Sequence, residues 1–557
     1  STRTDTLFPY TTLFRSKVIR RFRSDMMKKM TALLGLAVAC LCSTAFAADF
    51  SNLVIVHTND SHGYDRRAEG INGMATVSAL KKDFQQQGKN VILLDAGDAI
   101  QDNNLVNLSE GKTAIQFMNA AKYDAMALGN HEFDYGADVT QKRIKEAKFP
   151  VMSANIYVDA TGKPFAPKTR TILKRGDIKI GVFGLTTPST VTTSNPLSVR
   201  GLTFLSQEDL YKAAQREVDA LKKDGVDLVV AVGHLGSKPD VTGDRSDDVL
   251  EHVKGIDIFI DGHDHTVKNR YVNGALLAET GAHLENIGVI LYKDGKWQED
   301  LYPYGRFTKE DPAVKKIVDK AQTAIDKKLS TVVGNTTVEL NGARDPGVRT
   351  EETNLGDLIA DAFLWQAQQA VALKGITVDG AIQNGGTIRS SIDAGKITEN
   401  DVLRVMPYHN YLQYVTLKGA VLLEVLEAAT CTTPQAIGAF PQVAGITYTV
   451  DTTKPYAEGS QYPHSTYYAP AKPGSRVTIA TVGGKAFDPE ATYCIAMPDY
   501  LTYGGDTYYA LTDPAKVETE TTGYLDVDSM KNYIQTVLGG TVGNAYAQPQ
   551  GRITIVK

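Results

Sequence analysis

Cysteine is nearly missing from this chain of 557 residues: there are four, and Cys40 and Cys42 sit in an apolar stretch near the N-terminus. The other two, Cys431 and Cys494, are too few for a thiolate metal cage or for a disulfide framework of the kind that holds small secreted domains. They are either joined to each other or two separate thiols, and nothing in their spacing suggests catalysis. The apolar stretch, residues 31–42, falls short of the roughly 20 residues a membrane-spanning helix needs. Basic charge is in deficit as well. The chain has 59 Lys+Arg against 64 Asp+Glu; residues 1–47 hold eight of the former and two of the latter, so 51 and 62 remain beyond them, a net charge of −11. That sign excludes broad nucleic-acid binding, whose affinity comes from neutralised phosphates. Small anions stay accessible to a local metal or arginine cluster. Internal repeats and low-complexity tracts are absent too.

What is present begins with an address. Lys28 and Lys29 precede the apolar stretch, and Ala45 and Ala47 supply small residues at the two positions read by a signal peptidase. The expectation is a cleavable signal peptide over 26–47, cut after Ala47, a periplasmic or secreted protein, and no stable membrane insertion. Residues 1–25 fit no such segment and read as non-native or upstream sequence. The length exceeds what one core organises, and an apolar content of 42% with 22% charged residues is ordinary for a soluble protein. In the first half, β-rich runs at 53–58, 91–95, 178–185, 226–233 and 256–260 are interleaved with amphipathic helical stretches at 74–87 and 207–224. This pattern predicts an α/β layered domain. A charged helical stretch at 308–329 suits a linker. Helices are expected at 350–374 and 415–429, and the remaining strand- and turn-rich sequence predicts a second, α+β domain. The boundaries drawn are 48–305 for the first domain, 306–334 for the linker and 335–557 for the second.

Polar residues of one chemical kind collect just past β-rich runs of the first half, one of them the short run 125–128. Asp60 and His62 follow the first run and Asp98 the second. Asn130, His131, Glu132 and Asp134 crowd one glycine turn, His234 follows another run, and His263 and His265 close the series. Burying such groups without partners costs about 1–3 kcal/mol each, and a metal centre would satisfy them. Asp60, His62, Asp98, Asn130, His234, His263 and His265 are too many ligands for one tetrahedral ion and suit two ions sharing a carboxylate. The nitrogen and oxygen set without thiolate favours Zn, Mn or Co over Ca or Mg.

The motifs Asp-x-His, Gly-Asp, Gly-Asn-His-Glu, Gly-His and Gly-His-x-His, in that order, resemble the calcineurin-like metallophosphoesterase superfamily. Together with the C-terminal motifs below they resemble the secreted 5′-nucleotidase family, which includes periplasmic UDP-sugar hydrolases. The resemblance runs from about residue 52 to the end. It implies a four-layer α/β/β/α sandwich joined by a linker helix to an α+β nucleotide-binding domain. It also implies a first metal on Asp60, His62, Asp98 and His265, and a second on Asp98, Asn130, His234 and His263. His131 is then no ligand but stabilises charge on the phosphate, with Asp134 orienting it, while a metal-bridging hydroxide attacks phosphorus in line. His57, His252, His283 and His464 match no ligand position and read as structural or surface residues.

On the substrate side, Arg344, Arg349 and Arg389 offer guanidinium groups suited to phosphate. Tyr408 and Tyr500 match the family's two base-stacking positions, Asp506 its ribose ligand, and Asn384 and Asn410 polar positions near the nucleoside. Three departures, Thr387, His409 and Thr507, surround this pocket, and His409 is expected to narrow it or add a donor. The implied function is an exported two-metal phosphohydrolase of nucleoside 5′-phosphates, with nucleotide sugars or other pyrophosphates as further substrates and no obligate protein partner. A 2′,3′-cyclic phosphodiesterase/3′-nucleotidase is the enzyme alternative, and a catalytically silent nucleotide-binding surface protein the alternative of another class.

Overall fold

Two six-stranded sheets lie face to face in the first domain, and their central strands are hydrophobic throughout because both faces are covered. The computed structural model describes residues 48–238, 243–463 and 465–557; the signal segment, residues 1–25 and His464 lie outside these. One sheet runs in the order Lys296–Pro303, Asn286–Lys293, Leu53–Thr58, Asn90–Asp95, Ala125–Ala127, Val151–Met152. The other runs Val267–Val272, Ala275–Thr280, Ile258–Ile260, Leu228–His234, Ile178–Thr186, Arg170–Arg175. Ile55, Leu94, Val182, Val230, Val232 and Ile260 meet in the layer between the sheets, fully buried. Each such side chain contributes about 1.5–3 kcal/mol through burial. On the outer faces, helices Met74–Gln86 and Lys112–Ala121 cover Val56, Leu93 and Met126, while Gln207–Lys223 and Ser246–His252 cover Phe183, Ala231 and Phe259. The arrangement is the expected four-layer α/β/β/α sandwich.

The sheet register positions the site. Leu53–Thr58 and Asn90–Asp95 pair in parallel, Thr58 beside Asp95, and Leu228–His234 pairs in parallel with Ile178–Thr186, His234 beside Thr186. The carboxyl ends of these strands therefore share one edge, and the loops leaving them converge. Ligand sites in α/β folds collect at such edges.

In the second domain a five-stranded sheet runs Pro441–Ala444, Gly380–Asn384, Thr492–Pro498, Tyr411–Lys418, Val517–Leu525. Helix Asn354–Val371 packs on one face and Gly419–Ala429 on the other. The helix expected at 415–429 is thus a strand followed by a helix. Val415 and Leu417 pair with both neighbouring strands, and the chain turns at Lys418 before the helix begins. The helix expected at 308–329 starts at Pro312, where the Asp311 side chain accepts from the Ala313 N–H at 3.0 Å. It is not a free spacer: Val314 and Val318 belong to the first domain's core, and Leu329 belongs to the second's. No helix of the described residues is long and apolar enough to cross a membrane. Cys431 and Cys494 are not joined by a disulfide.

Candidate metal centre and substrate cleft

The strand-end loops bring all seven predicted ligands to one place. Asp60, His62 and His265 form one close group, Asp98, His234 and His263 a second, and Asp98 also groups with His62 and His131. Asn130 joins through its Oδ1, 2.9 Å from His263 Nδ1. His265 Nε2 lies 3.3 Å from Asp60 Oδ1, and His234 Nε2 lies 2.9 Å from Asp98 Oδ2. Five of the seven, Asp60, His62, Asp98, His263 and His265, hold φ between 48° and 93°. That left-handed backbone is costly for residues with a Cβ and persists where the surroundings impose it, most often at functional sites. Space is equally constrained. A Cβ on Gly129 would come within 2.2 Å of Asp98 Oδ1, and one on Gly262 within 2.7 Å of Asp60 Oδ2.

The donor set fits divalent cations. His62 Nε2 and His265 Nε2 face each other at 3.1 Å, and His234 Nε2 points at the Asp98 carboxylate. A cation would use these lone pairs. His234 Nδ1 lies 2.7 Å from the Ala96 carbonyl, which sets the tautomer that leaves Nε2 as the ligating atom. Burial, then the neighbouring His265, holds His62 well below the usual histidine range, and burial with His234 pushes His263 down to about 3. Both are neutral imidazoles, the form that binds metal. Burial alone would raise Asp98, but His234, His131 and His62 hold its carboxylate well below the ordinary range.

The glycine turn supplies more than Asn130. His131 Nδ1 lies 2.6 Å from Asp134 Oδ2, and its backbone N–H donates to Asp98 Oδ1 at 2.8 Å. Burial opposes a charged His131, yet Asp134 and Asp98 outweigh it and raise its pKa. Glu132, whose role sequence reasoning left open, accepts from the N–H groups of Asp98, Ala99 and Gly129 at 2.9, 2.9 and 2.7 Å. It ties the loop of Asp98 to the turn of Asn130. Lys268 does similar work at another loop, lying within 3.2 Å of Asp261, Asp264 and Glu279 beneath His263 and His265.

The eight predicted substrate residues line a single cavity, which also contains Asp98, Asn130, His131, Asp134, His263 and His265. Arg349 is pushed down to about 9 by burial and then by the nearby guanidinium groups of Arg344 and Arg389. Three cations so placed make a setting for an anion. Tyr408 stacks on His131 with ring centroids 6.0 Å apart and planes 28° from parallel. The Tyr500 hydroxyl donates to the Thr192 carbonyl at 2.6 Å, and the Asp506 N–H donates to the same oxygen at 2.8 Å. Asn384 Nδ2 donates to Asp506 Oδ2 at 3.0 Å, whereas the amide of Asn410 donates to Asp526 at 3.2 Å.

Of the three departures, only Thr387 lines the cavity, and its hydroxyl donates to Asn384 Oδ1 at 2.7 Å. His409 is exposed, near Asp528 and Lys531, so it neither narrows the cavity nor donates into it. Positive φ at His409 (57°) turns the side chain out between its two inward neighbours. Thr507 is buried behind the wall. His57 pairs with Glu299 in the interior, and His252 stacks on Tyr211, as structural residues do. His283 packs its ring against those of His62 and His265 and so walls the metal centre. Sequence reasoning missed Gln101, Asp102, Tyr135, Thr192, Ser194 and Tyr467. Of these, Gln101 and Asp102 lie four residues or fewer past Asp98 and Tyr135 directly follows Asp134, whereas Thr192, Ser194 and Tyr467 lie outside every motif.

Residues 53–267 match the family model for calcineurin-like phosphoesterases, and residues 332–513 match that of the 5′-nucleotidase C-terminal domain. The chain is 30% identical to the 5′-nucleotidase of Vibrio cholerae over 89% of its own length and 93% of that protein. It is 32% identical to the trifunctional nucleotide phosphoesterase protein YfkN of Bacillus subtilis over 86% of its length, and there it spans only 33% of the relative. Among solved structures, the 5′-nucleotidase precursor from Thermus thermophilus superposes with a TM-score of 0.74 at 27% identity, covering 91% of this chain and 99% of that one.

Proposed function

The chain belongs to the 5′-nucleotidase family, and we propose that it is an exported metal-dependent phosphohydrolase that releases phosphate from nucleoside 5′-phosphates, and from nucleotide sugars or related pyrophosphates. In this reading residues 48–305 carry the metal centre, 306–334 the linker and 335–557 the nucleotide site. Asp60, His62, Asp98 and His265 hold one divalent ion, and Asp98, Asn130, His234 and His263 hold the other, with Zn, Mn or Co the suited metals. Bound there, the ions supply Lewis acidity and a water acidic enough to react at neutral pH. His131, kept protonated by Asp134, meets charge growing on the phosphoryl oxygens. The arginines hold the phosphate, Tyr408 and Tyr500 stack the base, and Asp506 takes the ribose hydroxyls.

The observation that carries this reading is the shared cavity: four of the seven ligands, Asp98, Asn130, His263 and His265, line it together with the arginines and tyrosines of the second domain. The test is phosphate release by metal-loaded protein from AMP, UDP-glucose, 2′,3′-cyclic AMP and a small aryl phosphate. Cleavage of AMP but not of the cyclic nucleotide is expected, and no release from any substrate would support the silent scaffold. Tyr408→Ala or Tyr500→Ala should raise KM for AMP about 10-fold or more, the scale of one lost stacking contact, and spare the aryl phosphate. Equal losses on both substrates would refute the clamp.

A further inference from the structure

Behind Arg389, in the cavity's anion-binding wall, lies a buried carboxylate. Asp102, in the first domain, is 4% exposed and holds φ at 104°, a backbone conformation that favours glycine. Its Oδ2 accepts from Nε of Arg389, in the second domain, at 3.1 Å and lies 3.1 Å from Nη2 of the same guanidinium. Arg389 Nη1 reaches the Gly386 carbonyl at 3.5 Å. One flank of this guanidinium, the two-nitrogen edge best matched to a phosphate, is therefore occupied by the protein itself.

We propose that Asp102 is a specificity-determining residue: it takes one flank of Arg389 and limits the positive charge offered to the phosphoryl group. The inference rests on the reading of this cavity as a phosphate-ester site. Arg344, Arg349 and Arg389 repel one another strongly enough to help push Arg349 down to about 9. Without Asp102, three guanidiniums beside two divalent ions would hold the product, inorganic phosphate, tightly. A buried carboxylate among them weakens that hold. A nucleotide keeps its stacking and ribose contacts and so loses proportionally less. The strained backbone of Asp102 fits a residue retained for its charge rather than for its conformation.

Calorimetry with inorganic phosphate on the full-length, metal-loaded chain tests this without relying on turnover. Asp102→Asn and Asp102→Gly should bind phosphate more tightly by on the order of tenfold, the scale of one charge acting through protein at several ångströms, while Asp102→Glu stays near the parent. The Gly variant suits a φ of 104° and keeps misfolding from masking the result. Unchanged or weaker phosphate binding in both neutral variants would overturn the inference and make Asp102 a structural anchor of Arg389. In an active enzyme the same variants should show a matching fall in the inhibition constant for phosphate and a smaller fall in KM for AMP. Failure of the functional reading shows separately, as no phosphate release by the parent protein.

Discussion

His131 and Glu132 are adjacent in one turn, yet their side chains serve different atoms. His131 lines the cavity against Asp134, whereas Glu132 is 2% exposed and spends both oxygens on backbone N–H groups around Asp98 and Gly129. Replacing them should separate chemistry from assembly. His131→Ala is expected to lower kcat by about 10²–10³, the cost of one transition-state donor, with metal content unchanged. Glu132→Ala should weaken metal binding by about 10–100-fold, as loss of a residue supporting ligands does, measured by competition with a chelator. A His131→Ala protein that loses its metals would make His131 a ligand instead. At this scale the sequence was a good guide, because a short apolar run followed by Asp, Asn or His marks a strand-end loop. For Glu132 it suggested only a local structural role, without its partners, which are backbone groups that any sequence carries.

At the scale of elements, legibility followed burial. Strands covered on both faces stand out as apolar runs, so the central strands of both sandwich sheets could be placed from sequence. Tyr411–Lys418 was hidden because its apolar end joins the equally apolar helix Gly419–Ala429 without a glycine or proline before the boundary. The segment around Thr190–Thr193 was hidden for another reason: its work is done by one hydroxyl and one carbonyl. Ser194 Oγ donates to the Asn130 carbonyl at 2.7 Å, and the Thr192 carbonyl accepts from Tyr500 and Asp506. One short element thus touches a predicted metal ligand and the predicted nucleoside clamp. Ser194→Ala should cost about 1 kcal/mol of stability and lower kcat on AMP and on an aryl phosphate alike, since it acts at Asn130. Tyr500→Phe keeps the ring but removes one of the two donors to the Thr192 carbonyl, and should raise KM for AMP alone. Steady-state kinetics on the two substrates would show a crossed pattern if this division is wrong.

For the whole molecule, the contacts across the cleft bear on how substrate enters. Tyr408 of one domain stacks on His131 of the other, ring centroids 6.0 Å apart. Asp102 grips Arg389, Asn104 Nδ2 donates to Asn400 Oδ1 at 3.0 Å, and Asn107 Nδ2 donates to the Pro407 carbonyl at 2.9 Å. These ties join loops and helices of one domain to the other around the cavity. None is a large apolar interface of the kind that locks domains together, so separation is cheap enough to be part of each turnover. If nucleotides enter and leave only when the two halves part, fixing them should stop catalysis while leaving the metal centre intact. Asn104→Cys with Asn400→Cys, in a Cys431→Ser background and joined by a short bis-methanethiosulfonate, which forms a disulfide with each thiol by displacing methanesulfinate, provides such a lock. Turnover of AMP should fall at least about 10-fold, on the scale of a gating step made rate-limiting, with bound metal unchanged, and reducing those disulfides should restore it. Full activity in the crosslinked protein would mean that substrate enters through the cavity mouth as it stands.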